Sequence, residues 1–439
     1  MFKKFTNGCV RVVNRWLPDA FLFAIILSII VFIGSMCATK MGPLQVLNAW
    51  GDSKGFWGLL SFSMQMALVL VFGSAMAAAK PCKKALRAAA GLCHNNMQAI
   101  VVTTFISTIC CWLNWGFGLI AGTLLAKEVV RRVPTVDYPL LIASAYSGFV
   151  IWHAGLSGSI PLDLVAGKDF GGVLYQAPIT DTVFHPMNLI MVGVILFVMP
   201  LVNYAMHPDK DHTVCIDPTL LEDEAERTYE VKTPADKVEH SKLLWAITLV
   251  GGFVYIVYYF VQNGFTLGLN IVNMIFLFLG ILLHGDLRRY VDAISDAAGG
   301  AAGVLLQFPF YAGIMGIMTY SGLVPVIANV FVKIATPKTM SALSFLSAGF
   351  VNFFVPSGGG QWAVQGPVML EAAKTLGVDM KSIAMAVAYG DSWTNLCTPF
   401  WALPMANVLG IKVRDFLGYT LIVTILVGLF LVGAFLIAA

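Results

Sequence analysis

Asn114-Trp115-Gly116-Phe117-Gly118 and Pro356-Ser357-Gly358-Gly359-Gly360-Gln361 each interrupt an apolar stretch, one in each half of a 439-residue chain. A second interruption follows each of them, over 147–161 in the first half and 390–399 in the second. Backbone that leaves helical geometry inside hydrocarbon strands unpaired N–H and C=O groups. Such a break survives only where protein or a polar cavity satisfies those groups. Paired breaks at matching places in two halves are expected of discontinuous helices gathered around a shared midplane site.

The rest of the chain suits a bilayer. It is 58% hydrophobic and 12% charged, with a mean hydropathy of +0.80. Apolar runs recur from Phe21 to Ala438, each near the ~20 residues a helix needs to cross ~30 Å of hydrocarbon. The expected fold class is an all-α polytopic membrane protein. The net charge of +3 is small, its basic residues lie in short loops, and no nucleic-acid partner is implied. The first apolar run is preceded by Arg11, Arg15, Trp16 and Asp19 and followed by many more, so it reads as a retained helix, not a signal peptide. The eight cysteines are scattered without zinc spacing, and Cys110-Cys111 reads as small apolar packing.

Residues 1–18 interleave Lys3, Lys4, Arg11 and Arg15 with Phe2, Phe5, Val10, Val12, Val13 and Trp16, which suits an amphipathic helix on the inner surface and a cytoplasmic N-terminus. The first repeat covers 19–206. Within it the apolar region 98–126 has basic residues on both flanks: Lys80, Lys83, Lys84 and Arg87 before, Lys127, Arg131 and Arg132 after. A crossing helix would put one cluster outside; a re-entrant hairpin keeps both inside, with its tip at Asn114. A broken helix follows over 138–165. Residues 207–242 hold ten of the 24 acidic residues and form a charged cytoplasmic linker. The second repeat, 243–439, carries a re-entrant hairpin over 339–373, entered from the other side, and a broken helix over 380–408. The count gives about nine transmembrane helices and two opposed hairpins. Ala145-Tyr146-Ser147-Gly148 parallels Ala388-Tyr389-Gly390-Asp391, each tyrosine 32 to 37 residues after an asparagine, Asn114 or Asn352. The halves thus read as an inverted repeat.

The breaks carry the chemistry. Helix N-termini at a hairpin tip suit an anionic carboxylate and carbonyl ends suit a cation, and Gly116, Gly118, Gly358, Gly359 and Gly360 let backbone and ligand approach. Ser357 and Gln361 add a hydroxyl and an amide. Asp391 is the most telling residue, because a carboxylate at membrane depth must be paired, protonated or wet. Ser392, Asn395 and Thr398 offer neutral oxygens, so a bound Na+ is expected near Asp391 and Asn395. His153 and Ser157, with Ser159 and Pro161, hold the corresponding place in the first half. Trp115, Trp152, Trp362, Trp393 and Trp401 gather near the breaks. Gly51-Asp52-Ser53-Lys54-Gly55 satisfies G-x-S-x-G but lacks a strand–turn–helix context. No HExxH, Walker A or dinucleotide fingerprint is present, so an enzyme is not expected, nor any cofactor beyond that possible Na+.

Arg15-Trp16-Leu17-Pro18-Asp19, the 114–118 run, Arg131-Arg132-Val133-Pro134, the 307–313 run Gln-Phe-Pro-Phe-Tyr-Ala-Gly, Val355-Pro356-Ser357-Gly358-Gly359-Gly360 and Pro399-Phe400-Trp401-Ala402-Leu403-Pro404 together resemble the bacterial short-chain fatty acid transporter family. The resemblance implies an inner-membrane carrier of butyrate, acetate or acetoacetate. It also implies kinship with dicarboxylate and citrate carriers, which are homodimers with an elevator motion. The resulting expectation is cation-coupled (Na+ or H+) symport. Substrate would lie against Asn114, Trp115, Gly116, Gly118, His153, Ser157, Ser357, Gly358, Gly359, Gly360, Gln361 and Thr398, and the coupling ion against Asp391, Ser392, Asn395, Asn114 and Asn352. A carrier for another small organic anion, such as a dicarboxylate, is the alternative; a channel or intramembrane enzyme is a more distant one.

Overall fold

The structure is a computed structural model that describes residues 20–167, 169–170, 173–217, 229–264, 266–352, 355 and 357–438. The expected surface helix at 1–18, part of the linker (218–228) and Pro356 lie outside the described residues. The regular secondary structure of the described residues is helical apart from a two-residue antiparallel pair, β1 (Asp169–Phe170) and β2 (Val173–Leu174). Seven of its helical segments are long and apolar enough to cross a membrane, and shorter apolar helices accompany them.

In the first half, α1 (Ala20–Thr39), α2 (Pro43–Gly51), α3 (Leu60–Ala77) and α4 (Lys80–Ala90) precede the first hairpin. That hairpin is α5 (Asn96–Leu113) and α6 (Trp115–Arg132), joined through the single extended residue Asn114. Each arm starts on an Asn cap: Asn95 accepts from Gln98 N at 2.9 Å and Asn114 from Phe117 N at 2.8 Å. The arms are antiparallel and very close. A Cβ on Gly118 would lie 2.4 Å from Cys111 Cα, and one on Gly122 would lie 2.6 Å from Ser107 Oγ. The open ends are tied by Asn96 and Thr135, which exchange bonds of 3.1 and 2.9 Å. The second arm runs past the expected end at 126, because Lys127, Arg131 and Arg132 stay helical, with Glu128 bridging Arg87 and Arg131.

The first broken helix is α7 (Tyr138–Ser147), a 3₁₀ segment (Gly148–Ala154) and α8 (Ser159–Ala166). Its most apolar stretch is 94% buried inside the protein, so non-helical backbone is tolerated there. Next come α9 (Pro186–Ala205), α10 (Pro234–Glu239), α11 (Lys242–Asn263), α12 (Leu269–His284), α13 (Leu287–Ala298), α14 (Ala302–Ser321) and α15 (Leu323–Ile334). By contrast, α11 exposes Leu243, Val250, Val254, Val257 and Val261, a stripe that suits lipid tails.

The second hairpin pairs α16 (Met340–Asn352) with α17 (Gly358–Leu376), again antiparallel: Gln361 Nε2 donates to Ala348 O (2.8 Å) and Gln365 Nε2 to Ser347 Oγ (2.9 Å). Then α18 (Met380–Asn395) and α19 (Pro399–Val408) form the second broken helix before α20 (Val413–Ala438). The expected break from 390 is confined here to Leu396–Thr398, and Gly390 to Asn395 stay α-helical. Gly390 serves contact rather than bending, since a Cβ would fall 2.3 Å from Phe345 O and 2.6 Å from Ala348 Cβ.

Elements recur at a spacing of about 243 residues: α3 and α14, α4 and α15, α5 and α16, α6 and α17, α7 and α18 start in step. Tyr146 and Tyr389 keep the same spacing, as do the cap residues Asn114 and Ser357. Packing is reciprocal. α1 lies on α14 as α12 lies on α3, and α2 lies on α14 as α13 lies on α3, the exchange expected of a twofold relation. The short helices α2, α4, α13 and α15 were not anticipated; they are connectors whose length hides them from a search for spans.

Candidate functional site

One fully buried ionisable pair joins the halves. His153, in the 3₁₀ segment, and Asp391, on α18, meet with Nδ1 and Oδ2 3.0 Å apart and no exposure on either side chain. The ring is held from its other side. Ile160 N donates to Nε2 at 3.1 Å, and Ser159 Oγ lies 2.8 Å from the same nitrogen. A nitrogen that accepts a backbone N–H carries no proton, so the imidazole proton sits on Nδ1 and is donated to Asp391. Trp152 stacks on the ring at 4.1 Å. Every lysine and arginine whose burial is described is exposed or half-exposed. The carboxylate therefore has no cationic side chain among the described residues to offset its charge, a costly state in a dry interior.

Unsatisfied polar atoms gather around the two tips. Four of those at the second tip and α18 are oxygens: Asn352 Oδ1, Gln361 Oε1, Asp391 Oδ1 and Asn395 Oδ1. The amide orientations are fixed by their nitrogens. Asn352 Nδ2 donates to Thr394 Oγ1, which itself donates to Gly349 O; Gln361 Nε2 donates to two oxygens; Asn395 Nδ2 donates to Asp391 O. At the first tip they are N–H groups: Asn114 Nδ2, Trp115 Nε1 and Trp152 Nε1, with Trp112 Nε1 one turn earlier. Asn114 is fixed as well, since its oxygen caps α6. A buried polar group without a partner costs about 1–3 kcal/mol, so a cluster of one sign calls for a ligand of the other. Asp391 and Asn395, four residues apart on one helix face, suit a cation chemically. No group of three His, Cys, Asp or Glu that could hold a metal occurs among the described residues.

The structure brings several anticipated residues together and gives others a packing task. Ser157 Oγ accepts from Trp115 N (3.0 Å), tying the first tip to the broken helix. Gly116 rests against Leu70, and Gly73 of α3 leaves room for Asn114, where a Cβ would be 2.3 Å from Oδ1. Gly358 meets His153, Trp152 and Ser159; Gly359 meets Phe62 and Phe308; Gly360 meets Tyr311. The glycine triplet is thus filled by neighbours, and Ser357 caps α17 by position without a side-chain bond. Thr398 and Ser392 donate back to Asn395 O and Tyr389 O. Sequence reasoning missed Tyr146, whose hydroxyl donates to Asn395 O (2.8 Å), and Tyr389, whose hydroxyl donates to Asn188 Oδ1 (2.7 Å). The repeated Ala-Tyr pair was the available signal.

The aromatic shell is continuous. Trp115 lies 5.8 Å from Trp152 and 5.3 Å from Trp401, and Phe149 lies 5.7 Å from Trp152 and 5.9 Å from Trp401 (ring centroids).

Comparison with known proteins gives a consistent result. The short chain fatty acid transporter family profile matches residues 1–438. A protein of Escherichia coli (strain K12), its name assigning it provisionally to short-chain fatty acid transport, is 41% identical over 99% of both chains. A Haemophilus influenzae protein with the same provisional name is 38% identical over 99% of this chain and 100% of its own. Among solved structures, the Alcanivorax borkumensis YdaH transporter is similar with a TM-score of 0.58 and 14% identity, over 94% of this chain and 98% of that one. Neisseria gonorrhoeae MtrF, described within a class of antimetabolite efflux pumps, has a TM-score of 0.50 and 14% identity, over 99% and 97%. At that identity the likeness concerns the fold alone.

Proposed function

Since the chain belongs to the short-chain fatty acid transporter family, a family of membrane transport proteins and not of enzymes, we propose that it is a secondary carrier coupling a cation, Na+ or H+, to symport of short-chain monocarboxylates such as butyrate, acetate or acetoacetate. The observation that carries this reading is the buried Asp391, which meets a neutral-tautomer His153 and, like Asn395 four residues on, keeps one side-chain oxygen without a hydrogen-bond partner among the described residues. A net negative site, with no buried lysine or arginine among the residues whose burial is described, is balanced by a cation taken from solution. Carboxylate and cation would then enter together, with little net charge to move through the protein.

The two halves act as an inverted repeat. Reciprocal packing and the constant spacing support this, and the hairpins re-enter from opposite faces of the bacterial inner membrane, with the N-terminus cytoplasmic. The hairpins and broken helices move as a unit against the remaining helices, as an elevator within a homodimer. Asp391→Asn tests the central residue. Reconstituted in liposomes, this variant is expected to lose gradient-driven butyrate accumulation while eluting as a folded protein. Undiminished coupled uptake would remove Asp391 from the mechanism.

A further inference from the structure

The donors at the first tip point further. Asn114 and Trp115 are consecutive, and Trp152 lies 5.8 Å from Trp115 between ring centroids. Each side chain is at least nine-tenths buried: Asn114 is 0% exposed, and Trp115 and Trp152 are 4% each. Each ends in an N–H donor without a hydrogen-bond partner among the described residues. These donors are fixed in place. Asn114 is pinned by its cap to Phe117, Trp115 N by Ser157, and Trp152 by its stacking on His153 and Phe149. Preorganised, desolvated donors of one sign hold an anion, and hydrogen bonds to a charged acceptor are the strong ones.

We propose that Asn114 Nδ2 and the indole N–H groups of Trp115 and Trp152 bind the substrate carboxylate, and that the faces of Phe149 and Trp401 wall its short acyl tail. This rests on the carrier reading above and adds the specificity device. One carboxylate has acceptor sites for three donors. A second carboxylate would enter a place that no described lysine or arginine reaches, so the site selects monocarboxylates by withholding a second positive partner. A long acyl chain is excluded by the aromatic wall.

Direct binding tests this without transport. Purified protein is titrated with butyrate, acetate and succinate, and ligand is read as a rise in the thermal unfolding temperature. Butyrate is expected to stabilise the wild type and succinate to have no effect. Trp115→Phe and Trp152→Phe keep an aromatic side chain, though a smaller one, and remove the donor, so each should weaken butyrate binding by roughly tenfold or more. Trp245→Phe is the control: that indole donates to Ile281 O, outside the cluster, and its loss should leave butyrate affinity unchanged. A folded Trp115→Phe/Trp152→Phe double variant that binds butyrate as the wild type does would overturn the assignment and leave the carrier reading intact. Equal stabilisation by succinate would overturn the selectivity. A wild type that binds none of the acids would defeat the carrier reading and this assignment together.

Discussion

Glycine at 358 is demanded by what lies beside it. A Cβ there would be 2.4 Å from His153 Cε1 and 2.8 Å from Trp152, and neither ring can retreat, one held by Asp391 and Ile160, the other stacked between His153 and Phe149. Gly358→Ala should therefore displace the second tip from the pair, costing about 1–3 kcal/mol as other overpacked interiors do and lowering butyrate uptake more than stability. Thermal unfolding and liposome uptake on the same preparation separate the two effects. Gly73→Ala makes a parallel case at the first tip, through Asn114 Oδ1. At this scale the sequence showed His153 and Asp391 as separate candidates. Their pairing was not legible, because 238 residues separate them and no local pattern records a contact across two halves. The unpartnered atoms at the tips were equally hidden, since they depend on which end of each amide is already engaged.

Elements are set by caps and close contacts, and these were only partly readable. Asp137 starts α7 by accepting from Leu140 N at 2.9 Å, and its second oxygen accepts from Val214 N at 2.9 Å, so one buried carboxylate fixes a helix start and the entry to the linker. Asp137→Ala should cost about 1–3 kcal/mol, the sum of a lost cap and a lost tie, read as a lower unfolding temperature. The linker's far end is clamped where His240 meets Asp286, 2.9 Å apart, on the corner before α13. Burial raises the Asp286 carboxyl, but the His240 bond and the Arg289 N–H outweigh it and hold it below the ordinary carboxylate value. A depressed carboxyl contributes stability above its unfolded value and loses it as pH falls through the folded one. Hydrogen-exchange protection of residues 229–241 should therefore persist at neutral pH and fade below about pH 4, and Asp286→Asn should weaken it at neutral pH. The positions of the long apolar helices followed from hydropathy. The place of the second break did not, because Gly390 looks like a bend in sequence and acts as a contact against α16.

For the whole molecule, composition sufficed to show a multi-pass helical membrane protein, and the glycine-rich tips marked where two hairpins turn. The full repeat was harder to see: only the Ala-Tyr pairs coincide in sequence, whereas the helices keep step through both halves. If the halves are inverted, their hairpins open to opposite sides. On a background freed of its native cysteines, single cysteines at Lys84 and Thr135 should label from one face and those at Thr336 and Lys374 from the other; labelling of all four from one face would rule the inversion out. The account's central claim is cation-coupled carriage, and accumulation measures it most directly. Purified protein in liposomes is given labelled butyrate with Na+ and pH gradients imposed separately. The account predicts saturable accumulation above the external concentration, driven by at least one gradient; mere equilibration, or no uptake by folded protein under either gradient, would contradict it.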